Sequence, residues 1–205
     1  MRARQIGVVS AAVAMTVSGC FGVLTKPFMR SAEPEAVVEA PKPKGPPPST
    51  VVRPSPGKAV VNFHRTVGRV ETRFPLWDRD SFVGFSTPTT TVVYECEPGE
   101  HLFIAQAERP VLVKATLAPD KVYDLLIEGQ MGMRQARVTM TPITATHRLR
   151  PRLHLYDKIR KIKADREVVA GYEAADRPAV RRYLKGLEGR LDSMNLAVIE
   201  ESDGR

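Results

Sequence analysis

Cysteine is nearly absent from this chain, with only Cys20 and Cys96 in 205 residues. So sparse a supply excludes a disulfide-stapled scaffold. Aromatic residues make up 6% and tryptophan occurs once, as Trp77, so few large side chains are available to a core. No apolar run is long enough to span a bilayer, which takes about 20 residues. Acidic side chains are outnumbered, 23 against 31 basic, giving a formal charge of +8. There is no glycine-rich phosphate loop, no Cys/His pairing at metal spacing and no recognisable nucleophile motif. The sequence therefore predicts no cofactor, no metal and no catalytic residue.

What is present begins with Arg2 and Arg4, followed by the uncharged stretch Ile6–Val17. A basic start, an apolar centre and then small residues are the order of a secretory leader. The stretch closes on Val17-Ser18-Gly19-Cys20, which resembles the lipobox of bacterial lipoproteins: an aliphatic residue and two small ones before a cysteine. The resemblance implies cleavage before Cys20, diacylglycerol on its thiol and acylation of the new amino group. Two or more chains suffice for stable anchoring, because each buried CH₂ contributes about 0.8 kcal/mol. Phe21 stands where the enterobacterial retention rule has Asp, so the expected destination is the outer membrane. Loss of Arg2 and Arg4, with no acidic residue, leaves the mature chain basic.

Between Ser31 and Gly57 lie Pro34, Pro41, Pro43, Pro46, Pro47, Pro48, Pro54 and Pro56. Such a segment favours extended polyproline-II backbone and reaches on the order of 80 Å when fully drawn out. It reads as a spacer between membrane and domain. After Lys58 the pattern becomes short apolar alternations broken by turn residues, predicting strands at 58–65, 81–86, 90–96, 100–107, 111–117, 121–128 and 134–141, with a short one at 69–74. Turns are expected at Pro98-Gly99, as a tight hairpin, and at 108–110, 118–120 and 129–132. Trp77 falls in Pro75–Asp80, expected as a polar loop. Cys96 is expected as a small buried strand residue, and His64 and His101 as surface or satisfied core.

Four stretches share a pattern with a known group: Lys58-Ala59-Val60-Val61-Asn62-Phe63-His64-Arg65, Phe82-Val83-Gly84-Phe85, Val93–His101 and Leu117–Tyr123. They resemble the DUF2846 family of bacterial lipoproteins, with its "KA-x-V-x-F-x-R" strand, its "PG-x-H" turn and its later "aGk-x-Y" strand. Asp120 stands where that family has glycine, and Ser86–Thr90 replaces a middle element. The resemblance covers about 58 to 128 and implies a β-sandwich lipoprotein with no established activity.

From Leu153 the period turns helical. Leu155, Ile159, Ile162 and Val169 suggest one helix over 153–172. Val180, Tyr183, Leu184, Leu187, Leu191 and Met194 suggest a second over 178–194, opened by Asp176 and Pro178 after a turn at 171–175. Between Arg148 and Arg166, Arg148, Arg150, Arg152, Lys158, Arg160, Lys161, Lys163 and Arg166 face only Asp157 and Asp165. The first seven are the expected contacts to an anionic surface.

The expected fold class is mainly β: a small antiparallel β-sandwich with a C-terminal helical extension of two helices. Its organisation is a leader at 1–19, a lipidated cysteine and linker at 20–57, the sandwich at 58–146 and a basic helical region at 147–205. The expected function is a non-enzymatic binding or structural module of the cell envelope. Its expected partners are the membrane, through the lipid, and an envelope protein, peptidoglycan or anionic lipid. Neither nucleic acid nor a small-molecule substrate is expected. The alternative is an envelope hydrolase or carbohydrate-active protein using the 75–80 loop, with Asp78, Asp80, His64 or His101 meeting in a polar pocket.

Overall fold

Alternating side chains put Ala59, Val61 and Phe63 on one face of the first strand and Val60, Asn62 and His64 on the other, and the architecture follows from that division. The structure is a computed structural model and describes residues 52–65, 71–131, 136–156 and 159–205. Val17, Ser18, Gly19, Cys20, Lys158, most of the proline linker, and parts of the 69–74 strand and 129–132 turn lie outside the described residues.

The elements are β1 (Ala59–Arg65), β2 (Phe74–Asp78), β3 (Ser81–Ser86), β4 (Thr90–Cys96), β5 (Gly99–Ala105), β6 (Val111–Leu117), β7 (Val122–Gln130), β8 (Arg137–Pro142), α1 (Leu153–Tyr156), β9 (Arg160–Ile162), α2 (Arg166–Leu187) and β10 (Ala197–Ile199). They form two five-stranded sheets, β8-β7-β1-β4-β9 (sheet A) and β10-β6-β5-β2-β3 (sheet B). The β-sandwich is thus present, with the helices near the C-terminus. Its sheets are mixed rather than purely antiparallel: β1 runs parallel to β7, β4 to β9 and β6 to β10. A parallel pair needs a long crossover, and between β1 and β7 the chain builds most of sheet B.

Between the sheets, Phe63, Phe74, Leu76, Phe103, Leu117, Tyr123, Leu125 and Ile127 are buried in one apolar cluster. Phe63 and Phe103 meet edge to face across it, with ring centroids 5.3 Å apart. Cys96 is buried within it as expected, and burial pushes its thiol pKa up to about 12. A second cluster sits outside sheet B, where Trp77, Phe82, Leu102, Ile104 and Leu112 are covered by Val180, Tyr183 and Leu187 of α2.

Two local expectations are corrected. Pro98-Gly99 is not a hairpin: β4 belongs to sheet A and β5 to sheet B, so this turn carries the chain across the core. Residues 75–80 are not simply a polar loop, since Phe74–Asp78 is a buried strand paired with both β3 and β5. Pro75 concealed it. Proline is rare in central strands because it lacks the ladder N–H, yet Pro75 lies at the end of the β2–β5 ladder, where its carbonyl still accepts from the Gln106 N–H at 2.9 Å. Trp77 is accordingly fully buried, packed on Phe82 and Tyr172.

The helical region also differs. The first expected helix ends at Tyr156 and gives way to β9, while residues 166–187 form one helix with Pro178 inside it. Asp165 opens α2, its carboxylate accepting from the Glu167 N–H at 2.8 Å. Gly171–Ala175 is helix interior, not a turn. Pro178 costs the helix one N–H, but Tyr172 before it and Val180 and Tyr183 after it all pack on sheet B. Contact with the sheet holds both halves in line.

Candidate functional site

The basic region lies on sheet A. Leu149, Leu153 and Tyr156 pack with Leu126 of β7 and with Ile143. The Tyr156 ring lies 5.2 Å from the His64 ring on β1, and β9 then adds to β4. The described residues 147–156 and 159–163 therefore lie across the outer face of sheet A as a strap. Of the expected contacts, Arg148, Arg152, Arg160 and Lys163 are exposed on it, while Lys161 is half-buried. Arg150 differs, because its guanidinium turns inward and donates to the carbonyls of Asp203 and Gly204. It pins the strap to the tail.

The polar residues of the alternative reading do not converge. Asp80 pairs with Arg181 of α2 at 2.6 Å, which holds its carboxyl below the usual range. His64 is fully buried and lies 2.8 Å from Asp124 through Nε2 and 2.9 Å from Thr91 through Nδ1. Asn62 and Arg205 also donate to Asp124. Burial alone would raise the Asp124 pKa, but hydrogen bonds and charge from His64 and Arg205 outweigh it and hold it at about 2. This is a buried hub joining β1, β7 and the tail.

Only Asp78 and His101 come together. His101 Nδ1 lies 2.6 Å from Asp78 Oδ2, Tyr94 donates to the same oxygen at 3.1 Å, and His101 Nε2 lies 2.9 Å from the Glu97 carbonyl. Both ring nitrogens face acceptors, an arrangement that the doubly protonated imidazolium satisfies. Burial lowers the His101 pKa, but the Asp78 hydrogen bond and charge and the Glu97 carbonyl more than offset it, so the net shift is upward. The ring also stacks on Phe103 at 5.6 Å. Beside it is an open depression of about 380 Å³ lined by Lys58, Tyr94, Glu95, Cys96, Glu97 and His101.

Chemically, an Asp–His pair activates a nucleophile only when the outer ring nitrogen reaches it. Here that nitrogen is engaged by the Glu97 carbonyl. Among the described residues no group of three His, Cys, Asp or Glu side chains is placed to hold a metal ion. Nor is any helix of those residues long and apolar enough to cross a membrane.

Sequence reasoning set Asp78 and His101 among four residues that could meet without singling out that pair, and it missed the Asp124–His64 pair. Their members lie 23 and 60 residues apart, and no local spacing signals either. No protein-family model, curated protein or solved structure matches this chain.

Proposed function

We propose that this chain is a lipoprotein of the bacterial envelope, anchored through Cys20, whose sandwich serves as a non-enzymatic binding or structural module. The observation that carries this reading is Val17-Ser18-Gly19-Cys20 at the end of an uncharged apolar segment. Support comes from the proline-rich stretch that follows, which separates anchor from domain. The resemblance of residues 58–128 to the DUF2846 family is part of the same proposal and adds no activity. A hydrolase acting through Asp78 has less support, because the Nε2 of its partner His101 is engaged by a carbonyl and Asp80 is paired with Arg181.

Labelling with radioactive palmitate, followed by detergent phase partitioning, tests the anchor. The wild-type chain is expected to carry label and enter the detergent phase, and Cys20→Ser to do neither. Label retained by the variant defeats the reading.

A further inference from the structure

The strap on sheet A carries one feature that the charge count does not explain. Leu155 is 51% exposed, more than any large apolar side chain but Met131 among the described residues. Its position follows from helical geometry. In the turn Leu153–Tyr156 the first and last residues share a face, and both pack towards Leu126 and Ile143. His154 and Leu155 are thereby turned to solvent. Arg152, three residues before Leu155, falls on the same side, and Arg148 is exposed just upstream. Neither arginine forms an ion pair with a described residue. Arg150, bonded inward to the tail, fixes which way the turn faces.

The opposite face of the sandwich is different in kind. There α2 carries three acidic residues among five basic ones, and two of the five, Arg177 and Arg181, are paired with Glu173 and Asp80. Its exposed Val168 ends Asp165-Arg166-Glu167-Val168, where two carboxylates flank the nearest cation.

We propose that the strap is a docking surface for an anionic lipid bilayer, with Leu155 entering the headgroup boundary and Arg148 and Arg152 meeting lipid phosphates. The proposal rests on the envelope reading above and names its partner. A lone leucine among unpaired cations matches the interfacial pattern, in which apolar burial and attraction to anionic headgroups act together. The 31 residues between Cys20 and Val52 exceed what is needed for the domain to turn this face back to the membrane holding its anchor.

The test is an environment-sensitive fluorophore on Leu155→Cys in the full chain, with Val168→Cys as control, mixed with vesicles of phosphatidylcholine alone or with phosphatidylglycerol. Mass spectrometry establishes whether Cys20 is acylated; if it is not, the labels are placed in a Cys20→Ser background. The two readings thus fail separately. The expected result is a blue shift at position 155 on phosphatidylglycerol vesicles, none at 168, and loss of the shift at high salt. Arg148→Glu combined with Arg152→Glu, both on exposed side chains, should weaken vesicle partitioning about tenfold or more. An equal shift on neutral vesicles, an equal shift at 168, no shift, or binding only to isolated peptidoglycan overturns the proposal.

Discussion

His101 shows how one side chain acquires a property that its sequence neighbours do not supply. Its imidazolium is held between Asp78 and the Glu97 carbonyl, which raises its pKa above the ordinary 6.5. A group whose folded pKa lies above its unfolded value contributes stability that is fully present below the unfolded pKa and is lost as pH rises through the folded one. Chemical denaturation across pH 6 to 9 should therefore show wild-type stability falling above about pH 6.5, and His101→Asn should flatten that fall. By NMR the His101 ring should titrate above 6.5 in the wild type and move down in Asp78→Asn. An unchanged midpoint in that variant would separate His101 from Asp78. The sequence indicated a histidine in a strand after a turn and offered Asp78 and Asp80 alike as carboxylates that could meet it, but not which one does, because Asp78 sits on a different strand hidden behind Pro75.

At the scale of elements, strands were the more legible. Alternation located β1, β3, β4 and β6 almost to the residue, since a sheet with one face in the core demands a period of two. Helix limits were less legible. Asp176 and Pro178 form a conventional start signal, yet α2 begins at Arg166, capped by Asp165. The cap itself follows ordinary chemistry, so Asp165→Ala should cost about 1 kcal/mol in urea unfolding, the usual loss when an N-cap acceptor is removed. A change near zero would show that sheet packing alone sets the helix start. Asp120 is a related case at a turn: it holds φ +60°, a backbone region that favours glycine, and its carboxylate accepts from the Gly57 N–H at 2.8 Å. The local hydrogen bond accompanies a left-handed conformation that aspartate tolerates better than most residues.

Across the whole molecule, the tail is tied to both sheets. β10 pairs with β6 of sheet B, and Arg205 exchanges backbone hydrogen bonds with Val122 and donates its guanidinium to Asp124 on sheet A. Gly204 permits the approach, because a Cβ there would lie 2.8 Å from the Lys121 side-chain Cβ and 2.9 Å from the Tyr123 ring. Asp124 is the group on which this closure turns. With a folded pKa of about 2 against 3.8 ordinarily, it contributes stability above its unfolded pKa that is lost as pH falls through the folded value. Acid unfolding should develop between about pH 4 and 2. Asp124→Asn should cost on the order of 3 kcal/mol near neutrality, as expected when one partner of a buried ion pair is removed. An acid transition of unchanged position in Asp124→Asn would assign that window to other carboxylates.

The sequence by itself determined the features that depend on near neighbours along the chain. These are the composition that rules out a disulfide scaffold, the leader-like start ending at Cys20, the proline-rich stretch, the strand periods of the sandwich and the excess of basic residues from 148 to 166. Tertiary structure decided what depends on distant residues meeting: the parallel pairing of β1 with β7, the crossing of the core at Pro98-Gly99, the burial of Trp77 under α2 and the partners of His64 and His101. It also divided the basic residues, turning Arg150 inward and leaving Arg148 and Arg152 beside an exposed Leu155. The physical reason is the same throughout. Periodicity and capping act over a few residues, whereas burial and ion pairing depend on which elements the chain brings together.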